Sequence, residues 1–170
     1  SADGAFMLTL LNDYYQTCLT KPQLAEMALQ LGSDCPFFIY NTPQYASGRG
    51  EHMEPTPIDL ADDSLQLVCP QLHISTARAF QLITPRPAPF DLHLLHTLPL
   101  PEWKDRISND FEAPVFAAHP VLAGIKQQLY AAGAIYAALT GTGSTVYGIF
   151  TKGHRATIVA DTPFESHYIL

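Results

Sequence analysis

Gly32 and Pro36 place a break in the chain that the helix leading up to it cannot cross. Leu24, Ala25, Ala28 and Leu31 give that helix one apolar side, and Thr20-Lys21-Pro22-Gln23 before it has the form of a capping box. Glycine can take the left-handed conformation that ends a helix, and proline forbids its resumption. Ser33 and Asp34 therefore stand on a fixed turn, and the apolar run Phe37-Phe38-Ile39-Tyr40 after them reads as a strand. The predicted order is helix, turn, acid, strand. A carboxylate at the mouth of a cleft between packed elements suits proton transfer or metal binding. On this stretch alone, an ordinary turn aspartate capping its own backbone is the preferred reading.

Composition narrows what such a turn can serve. A chain of 170 residues, 47% of them hydrophobic, can fold as one compact core or two small lobes without disulfides. No apolar run is long enough for a membrane helix. Sixteen acids against nine bases give a net charge of −7, which argues against nucleic acid as a partner. Cys18, Cys35 and Cys69 are odd in number and widely spaced among apolar neighbours, the pattern of reduced core thiols in a reducing, cytoplasmic setting. The chain opens Ser1-Ala2-Asp3-Gly4 with no initiator Met and no leader, and its pattern is helical by the second or third residue; this is read as the opening of a fragment.

Residues 2–18 have near-helical apolar spacing and predict a buried helix, with Ser1 or Asp3 accepting from its first-turn amides. Residues 37–58 read as a β-ribbon that runs into Gly48-Arg49-Gly50-Glu51, where the flanking glycines indicate a bulge or a close backbone approach. The Pro- and Asp-rich residues 54–64 form a connection, which divides the chain into 1–64 and 65–170. Residues 65–70 and 72–74 read as strand broken at Pro70, and 76–82 as a short helix with Thr76 and Phe80 on one face. Pro85, Pro87, Pro89, Pro99 and Pro101 mark a long surface excursion with a short helix in 90–98. Asn109-Asp110 caps a helix through Phe116, and 120–132 is amphipathic. Strands at 135–139 and 145–150 flank a glycine turn, 157–160 fits helix or strand equally, and 167–170 is an edge or closing strand.

The motifs are individually weak. Gly141-Thr142-Gly143-Ser144 lacks the lysine of a P-loop and the third glycine of a dinucleotide fingerprint, so alone it is a tight turn. His93 and His96 stand three apart without a third ligand, and no metal site is assigned. No hydrolase elbow or Cys-His pair is visible.

Taken together and in order, the segments Ser1-Ala-Asp3-Gly-Ala, Leu31-Gly-Ser-Asp34-Cys-Pro-Phe-Phe, Gly48-Arg-Gly50-Glu51, Ile74-Ser-Thr76-Ala-Arg-Ala-Phe80, Ser108-Asn-Asp110-Phe-Glu and Leu139-Thr-Gly141-Thr-Gly143-Ser resemble the GHMP small-molecule kinases. Within that family the chain is most similar to the members that phosphorylate a methylerythritol linked to cytidine diphosphate in non-mevalonate isoprenoid biosynthesis. The resemblance implies an α+β fold: 1–64 as a remnant of the N-terminal, ATP-binding lobe, and 65–170 as a C-terminal lobe with an antiparallel sheet and helices on one face. It implies ATP and Mg²⁺ as cofactors, Asp34 as the catalytic carboxylate that takes or orients the hydroxyl proton, and Ser1 and Asp3 at the end of the phosphate loop. It further implies that Thr76, Phe80, Gly141, Thr142 and Gly143 line the substrate site, with Phe80 stacking on the pyrimidine. The family's glycine loop and adenine-binding portion have no counterpart here, so the chain alone is expected to be inactive and to expose apolar surface. A homodimer or other association is expected to cover that truncated face. The alternatives are a non-catalytic binding or assembly module that reuses the C-terminal lobe, and a GHMP kinase for another small alcohol.

Overall fold

The computed structural model describes residues 1–84 and 87–169 and divides into two compact units, Ser1–Ile58 and Asp59–Leu170. Pro85 of the surface excursion and Leu170 of the closing strand lie outside the described residues. The division falls ahead of the expected 64/65 boundary because Asp63 and Ser64 already pair with Thr151 and Phe150 across a sheet.

The first unit holds α1 (Ala2–Tyr15), α2 (Lys21–Leu31), α3 (Cys35–Tyr40) and a hairpin of β1 (Gln44–Ser47) and β2 (His52–Pro55). The capping box is present: Gln23 Oε1 accepts from the Thr20 N–H and from its hydroxyl, each at 2.9 Å. Two expectations at the break are corrected. Gly32 ends α2 in an extended conformation, φ 169°, which any residue can adopt, and its N–H closes on the Ala28 carbonyl at 3.2 Å. Residues 37–40 continue as helix α3 instead of a strand. Pro36 sits in the first turn of α3, where backbone N–H groups have no intrahelical acceptor, so its missing donor costs nothing. The helix then stops at Asn41, in the left-handed conformation with φ 51°.

The core of this unit joins Ala5 of α1, Leu24, Ala25 and Ala28 of α2, and Cys35 and Ile39 of α3. Ala5 is the one fully buried residue of α1, which corrects the expectation of a buried helix. Its apolar residues surround more than one side, and α2 and α3 meet only the Ala5 side. Phe6 and Tyr14 are accordingly 68% and 76% exposed.

The second unit runs β3 (Asp63–Pro70), α4 (Thr76–Leu82), 3-10 turns at Leu92–Thr97 and Leu100–Glu102, α5 (Trp103–Arg106), α6 (Glu112–Ala118), α7 (Pro120–Ala131), β4 (Tyr136–Leu139), β5 (Val146–Thr151) and β6 (Phe164–Ile169). The strands form one antiparallel sheet in the order β4-β5-β3-β6. Residues 72–74 are not strand, because the Leu72 N–H turns back onto the Pro70 carbonyl at 2.7 Å. One face of the sheet, with Val68, Ala137, Leu139, Val146 and Phe150, packs on Leu122, Ile125 and Leu129 of α7 and Val115 of α6. On the other face the Trp103 ring of α5 meets Tyr136 edge-on at 5.7 Å. Burial pushes the phenols of Tyr136 and Tyr147 upward, which keeps both neutral.

An irregular strap, residues 152–163, crosses the covered face. Gln66, 1% exposed, grips it by a paired amide contact: its Oε1 accepts from Ala156 N–H at 2.7 Å and its Nε2 donates to Ala156 O at 3.1 Å. Gln128 of α7 does the same with Val159, both bonds at 2.8 Å. Side chains thus supply the partners that helix or strand neighbours would have supplied. Residues 157–160, whose sequence fits helix or strand equally, form neither.

All three cysteines are free, but only Cys35 is buried; Cys18 is exposed and Cys69 intermediate, which corrects the expectation of three core thiols. Among the described residues no helix is long and apolar enough to cross a membrane.

Candidate active site

Asp34 is the N-cap residue of α3, two residues beyond the Gly32 that ends α2, and its carboxylate makes no cap hydrogen bond. The turn is held by the backbone instead, through Cys35 N–H to the Gly32 carbonyl at 3.1 Å. The acid is therefore not spent on its own turn, and the capping reading of this stretch is not what the fold shows. Asp34 lines a cavity of about 430 Å³ in the first unit with Ser1, Phe37, Phe38, Gly50 and Met53 among its other walls. Gly50 lies against this turn and holds φ +106°, a conformation that favours glycine; a Cβ there would meet Asp34 Oδ1 at 3.4 Å and the Ser33 carbonyl at 3.6 Å, ordinary contact distances. Where a bulge or a close backbone approach was expected, the glycines around Arg49 form the turn of the β1–β2 hairpin, both at positive φ. Next to them, Glu51 accepts from its own N–H and from that of Arg49, which lowers its carboxyl pKa.

Ser1 caps α1 without a side-chain cap bond and lines the same cavity as Asp34, and its carbonyl accepts from the Ala5 N–H at 3.1 Å. Asp3 lies exposed in the first turn of α1 and is not among the lining residues.

In the second unit the expected substrate residues come together around the turn between β4 and β5. Thr76 Oγ1 of α4 stands 3.4 Å from Thr142 Oγ1. Gly143 holds φ +88°, and a Cβ there would stand 3.0 Å from Ile74 Cδ1 and 3.1 Å from Leu139 Cδ1. The turn is closed by Thr140 N–H to Thr145 O and Gly143 N–H to Thr140 O, both 3.0 Å. Phe80 packs edge-on against Phe111 at 5.0 Å between ring centroids and remains 58% exposed, so ring surface is left for a planar ligand.

Sequence reasoning missed the residues that hold this turn. The N-cap residue of α6 is Phe111, without a side-chain cap bond, which corrects the expected cap at Asn109-Asp110; Asn109 instead shapes the turn before the helix, its Oδ1 accepting from Phe111 N–H at 2.9 Å. Its Nδ2 has two further donors, and they go to Leu139 O at 2.9 Å and Gly141 O at 2.7 Å. Glu112 completes the clamp: Oε1 accepts from Leu139 N–H at 2.8 Å, while Oε2 pairs with Lys126 Nζ at 2.6 Å. All three polar contacts of the Asn109 side chain go to backbone groups, two of them thirty or more residues away. We expect Asn109→Ala to cost about 2 kcal/mol, the combined worth of its neutral hydrogen bonds to backbone groups. Hydrogen exchange at Thr140 and Gly143 should accelerate with it, and unchanged exchange there would show that the turn stands without the clamp.

Residues 94–164 match the family model described as GHMP kinases C terminal, a span that takes in α5 to α7, β4, β5 and the glycine turn. This stretch is a GHMP kinase C-terminal domain. Over 152 residues the chain is 46% identical to a protein of Parabacteroides distasonis named 4-diphosphocytidyl-2-C-methyl-D-erythritol kinase, covering 89% of this chain and 56% of that protein. A protein of the same name from Solidesulfovibrio magneticus is 39% identical over 168 residues, covering 93% of this chain and 57% of its own. The chain thus spans a little over half the length of these relatives. Among solved structures, a 4-(cytidine 5'-diphospho)-2C-methyl-D-erythritol kinase aligns with a TM-score of 0.66 at 23% identity, covering 85% of this chain and 53% of that one. Homoserine kinase from Cytophaga hutchinsonii aligns at 0.60 and 10% identity, over 93% of this chain and 60% of that one. Both likenesses are of fold, and the α+β class expected from sequence agrees with them. They reach beyond the GHMP kinase C-terminal domain itself into residues outside 94–164.

Proposed function

We propose that this chain is the portion of an ATP-dependent kinase that phosphorylates the hydroxyl of 4-diphosphocytidyl-2-C-methyl-D-erythritol, a step of non-mevalonate isoprenoid biosynthesis. One observation carries the reading: relatives of that name are 39% to 46% identical over about nine-tenths of the chain, a span that takes in parts of both units. The geometry supports it. In the first unit, Asp34 offers a carboxylate with no cap hydrogen bond beside the N-terminus of α1, where free N–H groups favour phosphate oxygens. Asp34 takes the proton of the attacking hydroxyl. In the second unit, Phe80 offers exposed ring surface to the pyrimidine, while Thr76, Thr142 and the glycine turn at Gly141–Gly143 face the diphosphate.

ATP supplies the phosphoryl group, and Mg²⁺ in such reactions is held largely by phosphate oxygens, so a site with the single carboxylate of Asp34 fits it. Phosphoryl transfer asks the protein mainly for positioning and charge neutralisation, which a fixed turn and a helix terminus provide.

The test is a phosphoryl-transfer assay on the full-length protein, with the cytidine diphosphate-linked erythritol and homoserine as competing alcohols. Phosphorylation of the first with at least about tenfold higher kcat/KM supports the proposal. Preference for the second assigns another alcohol to the family fold, and tight cytidine nucleotide binding without transfer makes the protein a binding module.

A further inference from the structure

The second unit has another cavity, of about 350 Å³, on the side of α4 away from the candidate substrate residues. At roughly 100° per residue, Arg78 and Leu82 each stand about 160° round the helix from Phe80. Arg78 and Leu82 line this cavity, and neither Thr76 nor Phe80 does. Ser75, whose hydroxyl accepts from the Arg78 N–H at 3.4 Å, begins the helix at its edge. His73 comes from the segment before α4, and His119 from the junction of α6 and α7.

Three features of the lining point the same way. Arg78, His73 and His119 supply nitrogen donors, and no Asp or Glu is among the lining residues. That is a local reversal of sign in a chain with sixteen acids and nine bases. The Arg78 guanidinium also has no carboxylate partner among the described residues. The floor, by contrast, is apolar: Ala79 and Val115 are each 2% exposed, with Leu82 and Ala118 beside them. A cavity with a guanidinium and two imidazoles at its rim and hydrocarbon beneath suits a ligand with an anionic head and a short apolar body, and its volume is that of a small-molecule site.

We infer that the cavity between α4 and α6 is a second ligand site, for a phosphate monoester carrying a short alkyl group. The three terminal oxygens of a phosphate can use a guanidinium fork and two imidazoles at once, whereas a carboxylate has two oxygens to offer. The site is separate from the cytidine diphosphate reading and stands or falls without it.

The test is an NMR titration of the chain with butyl phosphate, inorganic phosphate and pentanoate. Butyl phosphate should move the ring resonances of His73 and His119 and bind about tenfold more tightly than inorganic phosphate, through burial of its alkyl group. Arg78→Gln, which keeps the aliphatic stem, should weaken it by about tenfold or more. Ala118→Phe, at an exposed position that leaves the core intact, should fill the cavity and abolish binding. Equal affinity for butyl and inorganic phosphate, indifference to both substitutions, or pentanoate binding as tight as butyl phosphate would overturn the assignment. So would shifts confined to Thr142 and Phe80, which would put the probe on the opposite side of α4. Failure of the kinase assay would leave the titration unaffected.

Discussion

Asp34→Asn is expected to lower kcat of the full-length kinase by roughly 10²–10⁴, the range for loss of a general base, with KM for either substrate little changed. Asparagine matches aspartate in shape and still accepts hydrogen bonds, but it does not take the proton of an attacking hydroxyl. The structure makes the experiment clean. Asp34 is exposed and makes no cap hydrogen bond, and its turn is closed by the backbone bond from Cys35 to Gly32, so stability should stay within about 0.5 kcal/mol of the parent. Lost turnover in a protein of unchanged melting behaviour therefore reports chemistry. Retained kcat would remove Asp34 from the role of base and leave positioning as the site's whole contribution.

The largest effect on stability is expected from Gln66→Glu, about 3–5 kcal/mol at neutral pH by chemical denaturation, the cost of an uncompensated buried charge. At Gln66 the Nε2 donates to Ala156 O at 3.1 Å and also reaches Ser166 Oγ at 3.2 Å. An ionised carboxylate in that place turns an oxygen toward the Ala156 carbonyl in a site that is 1% exposed. Protonation restores a donor, so the introduced carboxyl titrates at higher pH in the folded state than in the unfolded chain. The folded state then binds more protons, and the penalty is smallest below the unfolded carboxyl value of about 4.3 and grows as pH rises above it. Equal destabilisation at pH 4 and pH 7 would show that water enters and solvates the charge.

What the chain pattern made legible was whatever rests on local chemistry. The capping box at Thr20, the amphipathic face of α7 and the turn between β4 and β5 are each specified within a few residues, and each appears where it was expected. Thr76 and Phe80 on one face of α4 follow from helical period alone, and the contact of Thr76 with Thr142 joins two segments sixty-six residues apart. The failures share a cause. Pro36 was read as a stop, yet proline stops a helix only in its interior and is tolerated where a helix begins. The burial of α1 was read from its own composition, but burial depends on what lies opposite, and α2 and α3 meet only its Ala5 side. Asn109 and Glu112 act on a strand about thirty residues further on, and nothing in their own neighbourhood announces a partner at that distance.

The two glutamine grips on the strap have a consequence for how this part of the protein can change over time. Gln66 and Gln128 hold Ala156 and Val159 entirely through main-chain atoms, so neither grip inspects the side chain it holds. Proline at either position would remove the N–H its grip uses; other substitutions are filtered by burial at Ala156, 4% exposed, and little at Val159, 73% exposed. An inserted or deleted residue between them would carry one peptide out of reach of its amide while the other stayed in place. Length, more than identity, is the inherited property of this segment.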